Sequence, residues 1–313
     1  MQNQTNIPPA FFANLLIAFR VLSIVVTILA LVINLFFSIY IMTRKTLRNP
    51  SNIFIASMNI SCIIQAFTFI LPITIFRGTN IPTVCIIFLP LGEASAVLVN
   101  IHACFICIEH YVYIVHPFRY QRFVTINKVI AFIIIMWLTV ISMTYSFHII
   151  LNNLECPDWT ADISRQMGRV IGTTVLASVM VGLPLITMII TYLRLHRFIR
   201  YHLNRIDCQI DEYRRDLVSA KNRKALHRML LLLGNFAFCW LPALITTTLI
   251  FKLGYSSPTL IAARNISYIF SFSYSIVGPI GYVSCCPDIV KNLRRFWRHH
   301  RQRTTGHVLT STQ

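Results

Sequence analysis

The stretch VLSIVVTILALVINLFFSIYIM, residues 21–42, decides the fold class. It carries no charge, and its polar members are small hydroxyls, Asn34 and Tyr40. A helix of this length crosses about 30 Å of hydrocarbon. Six more stretches of this kind follow, at 53–76, 86–108, 129–151, 170–193, 229–251 and 260–283. Because lipid cannot satisfy an open backbone, each stretch is predicted to be helical. We therefore predict an all-α membrane protein, a bundle of seven transmembrane helices.

The composition agrees with this prediction. Of the 313 residues, 56% are hydrophobic and 12% are charged. A soluble domain of this size carries about 25% charged residues. The deficit in charge comes from the seven long apolar stretches, so the chain is an integral membrane protein with a single membrane domain.

The basic residues indicate the orientation of the chain. Most of the 28 Lys and Arg residues lie in the segments on one side of the predicted spans. By the positive-inside rule this side is cytoplasmic, so the amino terminus is extracellular and the carboxyl terminus cytoplasmic. The net charge of +18 then indicates topology and attraction to anionic membrane lipid, in preference to nucleic-acid binding. The sequon at Asn3 lies on the outer side, which predicts glycosylation there.

Two segments outside the spans have a helical pattern. In 194–228, apolar residues recur at helical spacing among basic ones, which predicts that the fifth and sixth helices continue beyond the membrane. After the seventh span, an apolar face predicts a short interfacial helix; its members are Ile289, Val290, Leu293, Phe296 and Trp297. We therefore divide the chain into an extracellular segment 1–20, the seven-span domain 21–283, an interfacial helix 284–300 and a disordered cytoplasmic tail 301–313.

The cysteines differ in their surroundings. Four lie inside spans, where they serve as small packing residues. Cys85 and Cys156 lie on the outer side, where oxidation is favoured, so we predict a Cys85–Cys156 disulfide. Cys285 and Cys286 follow the seventh span directly, where palmitoylation and burial in the turn are both open.

A series of landmarks then identifies a family. The chain resembles the rhodopsin-like (class A) G-protein-coupled receptors over nearly its whole length, and each landmark stands in its proper span. The landmarks are Asn34, LRNPSN at 47–52, Cys85, Trp137, Pro184, Tyr192, FAFCWLP at 236–242 and GPIGY at 278–282. The resemblance implies a cell-surface receptor that passes extracellular ligand binding to a heterotrimeric G protein, and to arrestin, by helix movement. It implies neither an enzyme nor a cofactor.

The resemblance assigns roles to individual residues. Prolines inside two spans remove backbone hydrogen bonds, so those helices can kink and swing. The residues implied for the activation switch are Phe236, Trp240, Pro242 and Pro279. The residues implied for G-protein coupling are Glu109, His110, Tyr111, Tyr192 and Tyr282.

The chain departs from the family at the coupling motif, where His110 replaces the arginine. An imidazole is shorter than a guanidinium, lacks its five-donor fork and is only partly charged near neutral pH. The second acid of the family's inner ionic lock aligns with Asn222. We expect altered output: modified coupling, a pH-sensitive His110, or a same-fold ligand-binding or decoy receptor with little or no coupling.

The family's sodium site is also altered. The positions that would supply its ligands are Cys62, Val99 and Gly278. A hard cation needs oxygen ligands, so we expect no sodium site and no other metal site.

The resemblance places the ligand pocket above Trp240, among the third, fifth, sixth and seventh helices. On the third helix, Cys85, Phe88, Gly92, Ala96 and Asn100 share one stripe by helical spacing, predicted to face inward. The residues predicted to bind ligand are Glu93, Ala96, Thr173, Trp240, Thr247, Tyr268 and Phe272.

Two pocket positions narrow the ligand class. Gly92 stands where amine receptors carry an Asp, and Phe272 stands where a retinal protein carries its lysine, so neither class is expected. Glu93 is the one acid in the outer half of a span. It is either a counter-ion for a basic ligand or the partner of a basic side chain, with Arg165, Arg169 and Arg264 as the candidates.

Other classes of protein fit less well. A transporter or channel would line a path with charged residues, and Glu93 is the one candidate for such a role within the outer halves of the spans. His102, His148 and Cys107 have no partners at a spacing that suggests a metal or a nucleophile, so no catalytic site is predicted.

Overall fold

The computed structural model describes residues 9–75, 81, 84–152, 163–206, 212–253, 258–285, 289–292 and 294–295. Over these residues the chain is helical and forms no strand. Its α-helices, in chain order, are α1 (Pro9–Thr43), α2 (Pro50–Gln65), α3 (Leu71–Ile75), α4 (Leu89–Val115), α5 (Pro117–Phe123), α6 (Ile126–Asn152), α7 (Ile163–Ile206), α8 (Glu212–Leu253) and α9 (Pro258–Cys285). A 3-10 turn covers Lys45–Leu47, and π-helical segments cover Ala66–Ile70 and Val84–Phe88.

Seven of these helical stretches are long and apolar enough to cross a membrane, which confirms the predicted fold class. We call them the first to the seventh span: Ile17–Thr43, Pro50–Ile70, Ile86–Val115, Ile126–Ile150, Ser178–Tyr201, Leu226–Ile250 and Ala262–Ser284. Both helices that carry the fifth and sixth spans extend well past them, α7 to Ile206 and α8 from Glu212, as the spacing of apolar residues predicts. Helical residues at 289–292 and 294–295 follow the seventh span, where Ile289 is fully buried.

The bundle exposes an apolar outer surface. On the fourth span, Ile134, Ile135 and Leu138 are each more than half exposed, although all three are large hydrocarbons. In water such a surface would be unfavourable, whereas in a bilayer lipid covers it. The buried core of the bundle is formed by other apolar side chains, among them Ile41, Met58 and Phe236.

Buried polar contacts fix how the spans sit against one another. The Asn34 amide donates to the backbone oxygen of Ser275 at 2.7 Å, which joins the first span to the seventh. The Ser275 hydroxyl in turn donates to Gln65 Oε1 at 2.9 Å, which adds the second span. Trp137 Nε1 donates to Ser57 Oγ at 3.0 Å, so the fourth span is joined to the second. These contacts explain why polar residues persist in otherwise apolar helices.

The second span is irregular at its outer end, and the third span packs closely against it there. A Cβ atom added to Gly92 would lie 2.6 Å from Phe69 Cβ and 2.9 Å from the backbone oxygen of Thr68. Both contacts come from the π-helical segment of the second span. A close approach of backbone to backbone of this kind requires glycine. Gly92 is therefore buried against the second span, on the side of the third helix that packs inside the bundle.

Several predicted residues lie outside this description. Asn3, Cys156 and the tail 301–313 fall outside the described residues, as do the side chains of Cys85 and Thr173. The glycosylation at Asn3, the Cys85–Cys156 disulfide and the role of Thr173 stay predictions.

Candidate functional site

Glu109 is the centre of a polar cluster near the carboxyl-terminal end of the third span. One of its carboxylate oxygens accepts hydrogen bonds from the Ser51 hydroxyl at 2.5 Å and from the Tyr120 hydroxyl. The other oxygen lies 3.1 Å from Nδ1 of His110. The Glu109 side chain is 8% exposed, so these three partners take the place of water around the carboxylate. We call these four residues the Glu109 cluster.

Local sequence signals place two members of this cluster. Asn49 caps α2 by accepting a hydrogen bond from the backbone N–H of Asn52 at 2.8 Å, and this sets Ser51 in the first turn. Pro117 opens the short helix α5, which carries Tyr120 back against the third span. The Glu109 cluster therefore joins three helices, α2, α4 and α5.

The Tyr120 hydroxyl remains protonated over the whole physiological pH range. Burial raises the pKa of Tyr120 above its ordinary value, and the negative charge of Glu109 raises it further. Tyr120 is therefore a hydrogen-bond donor to the carboxylate. In this sequence, two hydroxyls and an imidazole surround the acid of the coupling motif.

His110 contacts its neighbouring acid, as the family's arginine is expected to do. Its side chain is 18% exposed at this end of the bundle. Tyr111, the next residue, is partly buried against the main apolar core. In the fifth span, Tyr192 is likewise partly buried, with its ring 6.3 Å from that of His196. The structure thus brings Glu109 and His110 together, with Tyr111 beside them.

Two of the four residues predicted for the activation switch, Phe236 and Trp240, contact Tyr274, which the sequence analysis did not single out. The Tyr274 ring lies edge-on to Phe236 at 5.7 Å and to Trp240 at 6.3 Å. Its hydroxyl is 3.0 Å from the hydroxyl of Tyr282, and both tyrosines are almost completely buried. Tyr274 therefore links Phe236 and Trp240 of the sixth span to Tyr282 of the seventh, the tyrosine predicted to take part in coupling.

Gly278 makes room for this ring. A Cβ atom at position 278 would lie 3.2 Å from Cζ and 3.3 Å from Cε1 of Tyr274. These contacts are tighter than ordinary van der Waals contact, so a larger residue would displace the ring. The two residues are one helical turn apart, a spacing that puts them on the same face and could have signalled the pair. Cys62 and Val99, which align with two sodium ligands of the family, lie in the same buried apolar cluster as Tyr274.

The remaining features of the switch are distributed along the sixth and seventh spans. Pro242 and Pro279 both lie inside long helices, as predicted. Trp240 is partly buried, and its indole N–H has no hydrogen-bond partner among the described residues. A buried donor without a partner costs free energy. The indole is therefore a group that a rearrangement or a bound ligand would satisfy.

In the outer half of the bundle, Glu93 pairs with His148 of the fourth span. Glu93 Oε2 lies 2.9 Å from Nε2 of His148, with exposed fractions of 24% for Glu93 and 5% for His148. A pair with a basic side chain was one of the two alternatives for Glu93, and the basic partner in the structure is His148, which the sequence analysis did not name for this role. Separately, the guanidinium of Arg264 lies over the ring of Tyr268 at 5.9 Å.

The other predicted ligand-binding residues are spread over three spans. Ala96 and Thr247 are partly buried on the third and sixth spans. Tyr268 is partly buried and stacks on Phe272 at 6.1 Å. Phe272 is 2% exposed and meets Phe69 edge-on at 6.2 Å, so it belongs to the apolar core between the second and seventh spans. Their roles in ligand binding stay predictions.

His102, in the third span, makes hydrogen bonds that hold two spans together. His102 bonds Ser57 Oγ at 2.8 Å and the backbone oxygen of Leu98 at 2.6 Å, so it is one more link between the second and third spans. Within the described part of the chain, no three His, Cys, Asp or Glu side chains are grouped closely enough to hold a metal ion.

The comparison with known proteins agrees with the landmark residues of the sequence analysis. The family described as 7 transmembrane receptor (rhodopsin family) matches residues 33–282 of this chain. The match begins within the first span, includes the second to sixth spans completely and ends two residues before the end of the seventh.

Individual relatives are distant. The chain is 23% identical to the pyroglutamylated RF-amide peptide receptor of Rattus norvegicus over 282 residues, which cover 81% of this chain and 64% of that receptor. It is 24% identical over 274 residues to trace amine-associated receptor 4 of Rattus norvegicus, covering 80% and 76%. It is also 24% identical over 285 residues to the neuromedin U receptor homolog nmur-2 of Caenorhabditis elegans, covering 78% and 70%. The chain thus spans less than two thirds of the length of the RF-amide peptide receptor.

Proposed function

This chain belongs to the rhodopsin family of seven-transmembrane receptors, and on that premise we propose that it couples an extracellular ligand to a heterotrimeric G protein through helix movement. The family is one of receptors, so the protein is not expected to catalyse a reaction. We place it in the plasma membrane with the amino terminus outside, because the basic residues concentrate on the opposite side.

The observation that carries this proposal is the Glu109 cluster. The acid of the coupling motif is buried and held by donors from three helices, even though His110 replaces the arginine. A buried carboxylate loses stability when one of its donors is removed. The cluster therefore defines a resting arrangement, and movement of the inner helix ends would release His110 and Tyr120 from it. Such a two-state element is what a transmembrane switch requires.

The surface next to this cluster supports a protein partner. Phe118 on α5 is 89% exposed, and Phe123 on the same helix is 59% exposed. Together with Arg119 and Arg122 they line an open pocket. Large aromatic side chains exposed beside basic ones favour a partner with an apolar and acidic surface. We propose that this pocket, adjacent to Tyr120, contributes to the contact with the G protein, and that arrestin and anionic lipid approach the same side.

The ligand is proposed to be a peptide or an amine, the classes that appear in the names of the relatives. The structure favours the peptide class. An amine receptor of this family would need an acid at position 92, and the contacts of Gly92 with Phe69 and Thr68 leave no room there for any side chain.

Basal dissociation of G proteins tests this function without a ligand. Wild type, His110→Arg and His227→Arg would be compared at equal surface expression, against empty vector, over a panel of G-protein classes. His227 is an exposed histidine on the sixth span, so His227→Arg controls for added positive charge. We expect wild type to exceed the empty vector, and His110→Arg to change the signal further, because a guanidinium offers more donors than an imidazole. Silence from both wild type and His110→Arg would favour a same-fold receptor with little or no coupling.

A further inference from the structure

The outer half of the third span carries two hydrogen-bond acceptors whose capacity is not filled. Among the described residues, Glu93 has one partner, His148, which contacts Oε2 alone. A carboxylate has room for about four hydrogen bonds on its two oxygens. Asn100 is 2% exposed, and its Oδ1 has no partner within the described part of the chain. A buried acceptor without a donor costs free energy, so a donor that reached Asn100 Oδ1 would be stabilised there.

These two acceptors lie on one face of the helix. They are seven residues apart, which is two turns and about 10 Å along the axis. Ala96 lies between them on the same side of the helix and is partly buried. About three turns further along the helix from Glu93, on nearly the same side, Cys104 hydrogen-bonds Thr187 of the fifth span. The face that carries Glu93, Ala96 and Asn100 is therefore the one that turns toward the fifth span.

The position of Glu93 is a consequence of the packing at Gly92. The second span fills the space in front of position 92, so an acid cannot be carried there. One residue further along, the helix turns by about 100°, which takes the side chain away from the second span. There the fourth span is held close, because the Tyr145 hydroxyl donates to the backbone oxygen of Ile87 at 3.0 Å. His148, one turn beyond Tyr145, then meets the carboxylate.

From this arrangement we infer that Glu93 and Asn100 form a ligand site at the junction of the third, fourth and fifth spans. Its ligand carries a cationic, multi-donor group for Glu93 and a neutral N–H donor about 10 Å deeper for Asn100. A guanidinium, with five donors in a fixed fork, suits the partly exposed carboxylate of Glu93 better than a single-point ammonium. A carboxamide suits the amide oxygen of Asn100. His148 is a positioning residue that orients the carboxylate. A peptide with an arginine next to an amidated carboxyl terminus has both groups.

This inference rests on the proposed receptor function and extends it to the chemistry of the ligand. The probe is a synthetic tetrapeptide that ends in Arg-Phe-amide, labelled at its amino terminus. Two matched probes each change one group: citrulline replaces arginine, which removes the charge and keeps the shape, and a free carboxylate replaces the terminal amide. Binding would be measured on cells with wild type, Glu93→Gln, Asn100→Leu and Glu212→Gln. The last variant removes a carboxylate at the start of α8, far along the chain from the site.

In wild type we expect at least a tenfold loss of affinity for the citrulline probe and a similar loss for the free-acid probe. Glu93→Gln should reduce the arginine preference to about threefold or less and keep the amide preference, whereas Asn100→Leu should do the reverse. Each tenfold change corresponds to 1.4 kcal/mol. Glu212→Gln should behave as wild type. If the arginine preference persists in Glu93→Gln, the site is wrongly assigned.

A wrong ligand class and a wrong receptor function would give different experimental results. If none of the probes binds wild type at concentrations up to about 1 mM, the inferred ligand class is wrong. Basal G-protein dissociation needs no ligand, so its result stands independently of the probes. Equal affinities of wild type for the arginine and citrulline probes would also overturn the inference.

Discussion

The ring of Tyr274 occupies the space that a side chain at position 278 would need, with Cζ of Tyr274 3.2 Å from the place where Gly278 would carry a Cβ. Gly278, which stands where the family carries an asparagine, and the buried Tyr274 one turn earlier therefore fit together in the packing. The tyrosine connects Trp240 of the sixth span to Tyr282 of the seventh. In this receptor an aromatic side chain fills the centre of the bundle.

Gly278→Ala should therefore destabilise the receptor. The new methyl group would push against the Tyr274 ring, and overpacking of a core costs about 1–3 kcal/mol. Gly234→Ala is the matched control, since a Cβ at position 234 meets nothing within 4 Å. Thermal unfolding in detergent would measure both. Equal unfolding temperatures for the two variants would show that the Tyr274 ring moves aside without a cost in stability.

The two tyrosine hydroxyls should be coupled. Tyr274→Phe leaves the hydroxyl of Tyr282 buried without its partner, and Tyr282→Phe does the same to Tyr274. Each single change should cost about 1–3 kcal/mol, and the double variant should cost less than the sum, because no orphaned hydroxyl remains. Thermal midpoints of the four proteins give the coupling energy. Strict additivity would contradict a direct bond between the hydroxyls.

Tyr120→Phe should weaken the resting arrangement around Glu109. The variant removes one donor to a buried carboxylate but keeps the ring, which lies 5.2 Å from that of Tyr113. We expect a loss of about 1–3 kcal/mol in stability, together with higher basal G-protein dissociation per receptor at the surface. Tyr113→Phe is the control, because this tyrosine is 59% exposed. A basal signal in Tyr120→Phe no higher than in Tyr113→Phe would argue against a resting role for the cluster.

Gly92→Asp should not create an amine site. The added side chain would collide with the backbone of the second span at Thr68 and Phe69, so we expect a large loss of surface expression. Gly92→Ala should show most of this loss, since the first added carbon already makes the contact. Gly182→Ala, in open space on the fifth span, should be expressed normally. Normal expression of Gly92→Asp with new amine binding would overturn the packing argument.

The Cys85–Cys156 disulfide can be tested directly. Cys85→Ser and Cys156→Ser should each impair surface delivery, and the double variant should be no worse than either single one, because both remove the same bond. Loss of a native disulfide costs about 2–5 kcal/mol. Cys104→Ser, a change inside the third span, is a control for cysteine removal in general. Normal delivery of Cys85→Ser would count against the pairing.

The sequence by itself determined the seven helices, since span length and the absence of charge depend on the thickness of a bilayer and on nothing distant in the chain. It also determined the family, because landmark residues in a fixed order are read along the chain. The continuation of α7 past the fifth span followed from apolar residues at helical spacing. The sequence also showed that Glu109 and His110 belong to one motif, because they are neighbours in the chain.

The tertiary structure alone decided the partners of these residues. Ser51 reaches Glu109, and His148 reaches Glu93, across more than fifty residues of sequence. In a bilayer both lipid and neighbouring helices are apolar, so helix periodicity does not say which helix a given face meets. Close packing and the satisfaction of buried polar atoms settle that choice, and they do so atom by atom. The π-helical turn against Gly92 is an example: it leaves no room for a side chain at position 92, and only the packed bundle reveals it.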